Sequence, residues 1–471
     1  MTEQEEQIWE QIQLEQRRKT QDKAVRIIAY CLLAFIVGLF IFSPCLQLIR
    51  RLMTRNNPKW ELAQYDIPFY QHMIQAVHQI VLLAALLCYG LLISRIVRNR
   101  KAIRTKMQGR WKYLVPVVLL WLFAVTIPFV TAVRGPSDYD LGGHHYMGES
   151  IFYYMLYPTC YFFCGVMLWQ SKIKRALLYL LLFSAIPINV LTLVDEWGEK
   201  IPFFLGTGVA GVFHNSNHYG YYLAIVIVAS FVLFVYEQKA VWKVFNVLSA
   251  VLGTVVLILN NTLGAYLAVL LVMIAFAVYC LLCDRRHFGW SLAALGGFVL
   301  VTIVMGFWYS TVISSIVQLF SDAAAIAANP FETEMSVTSG TDRWMRWRGV
   351  VTHMPESPLL GFGVEGLLDL YQIGTPHNEL LQYAASFGIP AMLMYLTAVI
   401  WVIVSVLRRS KTLSKMTLVC FCVMVCYFTS SMFGVAIYYT TPFFYIFLGL
   451  TYAEILHGTQ DQKTDEQKET A

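Results

Sequence analysis

Charge is what this sequence has least of: Asp, Glu, Lys and Arg make up 14% of its 471 residues, where a soluble domain carries about a quarter. That scarcity excludes an ordinary soluble globular protein. Heptads and a Gly-X-Y period are also missing, which excludes a coiled coil and a collagen-like chain, and no repeat of fixed period marks a solenoid. The ten cysteines sit mostly inside apolar runs, Cys31, Cys88, Cys164, Cys280, Cys420 and Cys426 among them. They read as small buried hydrophobes rather than as a disulfide framework or a zinc site. The first 23 residues are polar and helix-prone, without the apolar core and cleavage site of a secretory leader. What is present is 58% hydrophobic and 15% aromatic residues, with a mean hydropathy of +0.57. The expectation is an all-α polytopic membrane protein, and the net charge of +6 calls for no nucleic-acid partner.

Apolar stretches long enough to cross a bilayer fall near 24–49, 76–94, 113–132, 150–170, 176–194, 219–236, 244–260, 264–283, 290–313, 380–407, 416–432 and 440–456. This predicts about twelve spans. The link after the second carries Arg95, Arg98, Arg100, Lys101, Arg104, Lys106, Arg110 and Lys112, a density that the positive-inside rule assigns to the cytoplasm. Alternating from there puts 25 Lys and Arg on that side and 9 on the other, so both termini are expected in the cytoplasm. The chain then divides into a cytoplasmic segment 1–23, a membrane domain 24–456 and a disordered cytoplasmic tail 457–471.

Ionisable residues are nearly absent at mid-depth; Arg26, His78, Arg95, Glu379 and Glu454 all sit near predicted span ends. This counts against an ion-coupled carrier, which keeps costly charges within the membrane. Polar residues gather instead in three external segments, 133–149, 195–218 and 314–379. The last is long enough to be functional and carries Arg343, Arg346 and Arg348 interleaved with Trp344 and Trp347. Residues 344, 347 and 351 are expected on one apolar face and Arg343 with Arg346 on a neighbouring one, facing headgroups or a pyrophosphate. Gly361, Gly363 and Gly366 allow a close backbone approach to a ligand. His377 and Asn378 follow at the mouth of a span, where a histidine suits general-base work.

The block Ser339–Pro390 resembles the C-terminal signature of the O-antigen ligase and O-antigen polymerase superfamily of bacterial membrane glycosyltransferases. It has an Arg-Trp segment, then Pro-Leu-Leu-Gly-x-Gly, then His-Asn-x-x-Leu-Gln, and Gly-Ile-Pro in the next helix. Upstream, Gly211–Ile225 is similar to that family's Asn-x-Asn segment, here Asn215 and Asn217. The turn beginning at Asn260 stands where many members have Ser-Arg-Gly; Leu263 replaces the arginine. The resemblance implies a GT-C-like fold with a long, partly helical external loop between spans 9 and 10. It also implies transfer of a glycan from undecaprenyl pyrophosphate to an acceptor hydroxyl on the external face of the cytoplasmic membrane, inverting and without a metal or other cofactor. On this reading His377 is the base. Arg343 leads the pyrophosphate clamp, with Arg346, Arg348 and Arg134 as further cations and Asn378, Asn215 and Asn217 as glycan contacts. The partners are the lipid-linked donor, a lipid, wall or protein acceptor, and membrane lipids.

Each assignment has a plainer counterpart. His377 is equally placed to bond a helix end; the arginines, to pair with Glu332, Glu334 or Asp342; Asn215 and Asn217, to cap the following helix. His214 and His218 share a helical face, but the sequence offers no third metal ligand. Asp138, Asp140, Asp195 and Glu196 are the acid/base candidates of a metal-dependent alternative. A repeat-unit polymerase of the same superfamily fits the same motifs, and a flippase or exporter of lipid-linked saccharides is the rival from another class.

Overall fold

The computed structural model describes residues 3–54, 111–134, 151–197, 209–331 and 338–457, apart from a few single positions among them, and scattered positions between 80 and 97. Residues 55–79, eight positions of the second predicted span, most of the basic link after it, the tail and residues 135–150, 198–208 and 332–337 lie outside the described residues. Asp138, Asp140, His214, Glu332 and Glu334 fall there too.

Every described element is a helix. They are α1 (Glu3–Thr54), α2 (Val115–Arg134), α3 (Ile151–Met167), α4 (Ser171–Trp197), α5 (Ser216–Tyr236), α6 (Ala240–Asn260), α7 (Leu263–Cys283) and α8 (Arg285–Trp308). Then come α9 (Thr311–Ala328), α10 (Ser339–His353), α11 (Gly366–Tyr371), α12 (Glu379–Phe387), α13 (Ile389–Arg409), α14 (Lys415–Ser431) and α15 (Thr441–His457). Seven described helices are long and apolar enough to cross a membrane. They correspond to the third and the fifth to tenth predicted spans, and make this a multi-pass membrane protein. The fourth, eleventh and twelfth predicted spans coincide with the shorter helices α3, α14 and α15.

Two boundaries differ from expectation. The ninth span ends at Trp308 rather than 313, because the chain turns and restarts as the separate helix α9. The tenth begins at Ile389, because Gly388 at φ 90 breaks the apolar run into α12 and α13. The CxxC spacing of Cys280 and Cys283 falls within α7, with one thiol buried and the other exposed.

Helix α5, apolar on all sides, is the core of the bundle: 94% of its apolar window is buried, as expected of a helix without a polar face. It packs on α6, α7, α8, α14 and α4. Elsewhere close crossing depends on glycine. A Cβ on Gly165 of α3 would lie 2.9 Å from the Cα of Gly449 on α15, the small-residue contact that brings membrane helices together.

At one end of the bundle charges are paired. Lys174 Nζ, fully buried, donates to Thr417 Oγ1 at 2.6 Å and lies 3.6 Å from Glu454; Glu454 also accepts from the Ser414 amide at 2.9 Å and hydroxyl at 2.7 Å. Nearby, Arg175 meets Glu237 and Lys415 meets Asp284. Buried ions need this degree of pairing and hydrogen bonding. The opposite end collects α10, α11, α12 and the starts of α5, α7 and α15.

Candidate functional site

Helix α10 begins with a capping box, in which Thr338 Oγ1 accepts from the Thr341 amide while the Thr341 side chain accepts from the Thr338 amide. The buried Asp322 of α9 accepts from the Gly340 amide at 3.1 Å, adding a carboxylate where the helix dipole favours one. With its start fixed, the helix sends residues four apart to common partners. Trp344 Nε1 donates to the Pro330 carbonyl at 3.0 Å, and Arg348 reaches the same oxygen at 3.3 Å. Arg346 is paired with Asp342 at 2.9 Å, and its guanidinium covers Gly374, where a Cβ would lie 2.5 Å from Nη1. Trp347 Nε1 donates to the Pro376 carbonyl at 2.7 Å. Arg343, one turn before Trp347, therefore turns towards His377, and forms no hydrogen bond or ion pair among the described residues. Trp344 and Trp347, expected on one apolar face, serve different contacts because their indole N–H groups are claimed by different carbonyls.

His377 is half-buried and held at φ 50, the left-handed region that a side chain seldom occupies. Burial pushes its imidazole down to about 4, and the positive charges of Arg343 and Arg346 act in the same direction against the opposing carboxylate of Asp342. The ring is accordingly neutral, with a lone pair available, over the whole range above that value. Next to it, Asn378 caps α12 by accepting from the Leu381 amide at 3.0 Å and donates to the Met432 carbonyl at 3.1 Å. Buried Glu379 accepts from the hydroxyls of Tyr383 at 2.7 Å and Tyr395 at 3.2 Å. The ends of both α12 and α14 are thereby tied beneath His377.

The glycine run makes a close backbone approach to the protein itself. Phe362 and Gly363 donate to the carbonyls of Ala385 and Ser386 at 2.6 and 3.0 Å, and Ile389 donates back to Pro358 at 2.8 Å. This run clamps the break between α12 and α13. Arg134, at the end of α2, bonds Ser357 and stacks over the Phe362 ring at 5.5 Å. Its partners are in the clamp rather than at His377.

Asn215 caps α5, accepting from the Asn217 amide at 2.8 Å; Asn217 is half-buried in the first turn. The neighbouring Asn260–Thr262 turn closes on this start. Asn260 Nδ2 donates to the carbonyls of Val209 at 2.6 Å and Ser216 at 2.8 Å, and Thr262 bonds Ser216 at 3.1 Å. It carries no cation.

Of the residues singled out by sequence, the structure gathers Arg343, Arg346, His377 and Asn378, with Asn215 and Asn217 at the same end of the bundle. It assigns Arg348 and Arg134 to loop contacts. Sequence reading missed Tyr221, which lies within electrostatic reach of Arg343 and donates to the Phe433 carbonyl at 2.9 Å. It also missed the 432–434 link itself, whose role is played by main-chain oxygens. Nothing in side-chain identity signals a carbonyl of this kind. Among the described residues no group of three His, Cys, Asp or Glu is placed to hold a metal.

Fold and site together define a multi-pass helical membrane protein with a cationic, histidine-bearing site at one end of its bundle. The O-antigen ligase family model matches residues 248–396, a stretch that runs from α6 into α13 and includes Arg343 and His377. This agrees with the superfamily indicated by the Arg-Trp, glycine and His-Asn motifs, and supports an O-antigen ligase or polymerase type of function. No curated protein matches the chain.

Proposed function

We propose that this protein is an inverting, metal-independent membrane glycosyltransferase that transfers a glycan from undecaprenyl pyrophosphate to an acceptor hydroxyl. The reaction takes place at the external face of the cytoplasmic membrane, with both termini in the cytoplasm. The observation that carries the reading is His377, half-buried and held at φ 50, within electrostatic reach of Arg343, which has no carboxylate partner among the described residues. His377 accepts the proton of the acceptor hydroxyl as its oxygen attacks the anomeric carbon from the face opposite the leaving group. The bond to the pyrophosphate breaks, and Arg343, with Arg346 behind it, offsets the charge developing on the phosphate oxygens. Arginine suits that task because its planar N–H groups match phosphate geometry and stay charged.

The test is to incubate wild type and His377→Ala with a labelled undecaprenyl-pyrophosphate oligosaccharide and candidate acceptors in EDTA, and to resolve the products by size. Transfer by wild type that the variant loses supports the reading. A ladder of products identifies a polymerase, and a single addition a ligase. Binding of donor without transfer to any acceptor overturns catalysis in favour of transport.

A further inference from the structure

His218, in the first turn of α5, is a buried imidazole that the mechanism above does not use. It is 4% exposed, and its Nδ1 has no hydrogen-bond partner, a costly condition for a buried polar atom. Its ring lies 6.0 Å from that of Tyr221. The Tyr221 hydroxyl holds the Phe433 carbonyl at 2.9 Å, while Asn378, next to His377, holds the adjoining Met432 carbonyl at 3.1 Å. Two consecutive carbonyls thus bring His218 and His377 to the same place, and the two imidazoles interact electrostatically.

The charged and titratable groups around this place are His377, Arg343, Arg346, Asp342, Glu379 and Tyr221. Asp342 is paired with Arg346, and Glu379 accepts from Tyr383 and Tyr395 through Oε1, its Oε2 buried without a hydrogen-bond partner among the described residues. Arg343 has no carboxylate partner among the described residues. A guanidinium and two imidazoles at this end of the bundle are chemically suited to an anion rich in acceptor oxygens.

We infer that His218 is a ligand-binding residue whose Nδ1–H donates to a phosphate oxygen of the lipid-linked donor, opposite Arg343. The inference rests on the glycosyl-transfer reading only for the identity of the ligand. In the bound state the orphaned nitrogen gains its partner, and the diphosphate is held from α5 as well as from α10. His377 is left free for the acceptor.

The test measures binding of farnesyl pyrophosphate, inorganic pyrophosphate and farnesol to the detergent-solubilised full chain by calorimetry. His218→Ala is expected to weaken farnesyl pyrophosphate about tenfold and to leave farnesol unchanged. His218→Asn, whose amide N–H can take the place of Nδ1–H, is expected to recover most of the loss. A parallel loss with inorganic pyrophosphate supports a contact to phosphate whether free or lipid-linked; loss with the farnesyl compound alone supports recognition of the lipid-linked group. Wild-type affinity in His218→Ala, or equal weakening by Ala and Asn, overturns the inference. If His218→Ala does not fold, His218→Leu, which fills more of the buried space, replaces it. Because no acceptor is present, the result is independent of transfer: an active His377→Ala overturns the catalytic reading while leaving this binding pattern in place.

Discussion

Trp347 Nε1 donates to the carbonyl of Pro376 at 2.7 Å, which ties the arginine-bearing helix α10 to the residue immediately before His377. The bond joins two parts of the site through residues 29 apart in sequence, and it fixes both the phase of α10 and the position of the histidine. Its removal should be felt in chemistry before stability. Trp347→Phe keeps an aromatic ring but loses the indole N–H bond and part of the side-chain volume, a stability cost of about 1–2 kcal/mol. A small displacement of a catalytic group can cost rate by a much larger factor, so turnover should fall about tenfold or more with little change in unfolding temperature. Equal activity in the two proteins would show that this bond does not position the histidine.

The neutral state of His377 has a pH signature. An ordinary histidine titrates near 6.5, but burial and the two neighbouring arginines bring this one to about 4. The acid limb of kcat/KM for the free enzyme should therefore lie near pH 4 and not near 6.5. The stability linkage has a definite sign. Between those two values the unfolded chain binds the proton and the native chain does not, so His377 lowers stability on the acid side and stability rises with pH across the window. His377→Asn should flatten that rise in thermal unfolding scans.

Gly388 is required where the apolar run breaks. At φ 90 an added Cβ would meet the Leu359 carbonyl oxygen at 2.2 Å, so Gly388→Ala combines backbone strain with a main-chain clash. A loss of about 3 kcal/mol or more is expected, measured as loss of monodisperse protein or of unfolding temperature. Gly363, also at positive φ but in open space, should tolerate alanine with only the cost of backbone strain.

The buried pair at the opposite end offers a double-substitution test. Lys174→Met leaves Glu454 buried with only hydroxyls and the Ser414 amide as partners and should cost about 3–5 kcal/mol, whereas Lys174→Met with Glu454→Leu should recover most of it, since an apolar pair of similar volume is often no worse than a buried ion pair. Unfolding of the two variants in the same detergent decides the point. Transfer activity in the double variant should remain near wild type because these residues lie at the other end of the bundle.

The apolar runs were legible because a bilayer leaves a chain few options: backbone groups must be satisfied within each helix, and long uncharged segments have no competing fate. One cap was legible too. Asn215, read as a cap of the following helix, does cap it, accepting from the Asn217 amide, whereas the caps at Asn378 and Thr338 were not read from the sequence. Composition is a poorer guide to where one helix stops within a continuous apolar stretch, and the breaks at Tyr309 and Gly388 were not placed by it. Arg343 was put ahead of Arg346 and Arg348 only through the family resemblance, since the three are alike in type and only a turn apart.

By itself, then, the sequence determined that this is a multi-helix membrane protein, that its polar chemistry is concentrated around the Arg-Trp and His-Asn motifs, and which superfamily those motifs resemble. Tertiary structure decided which side chains face one another. Arg343 comes within electrostatic reach of His377 because Trp347 and Pro376 dock α10 on the start of α12. His218 joins them because main-chain carbonyls at 432 and 433, contributed by a distant helix end, hold Asn378 and Tyr221 together. A carbonyl is common to every residue type, so contacts of this kind leave no mark in composition or spacing, and only the packing of the bundle selects them.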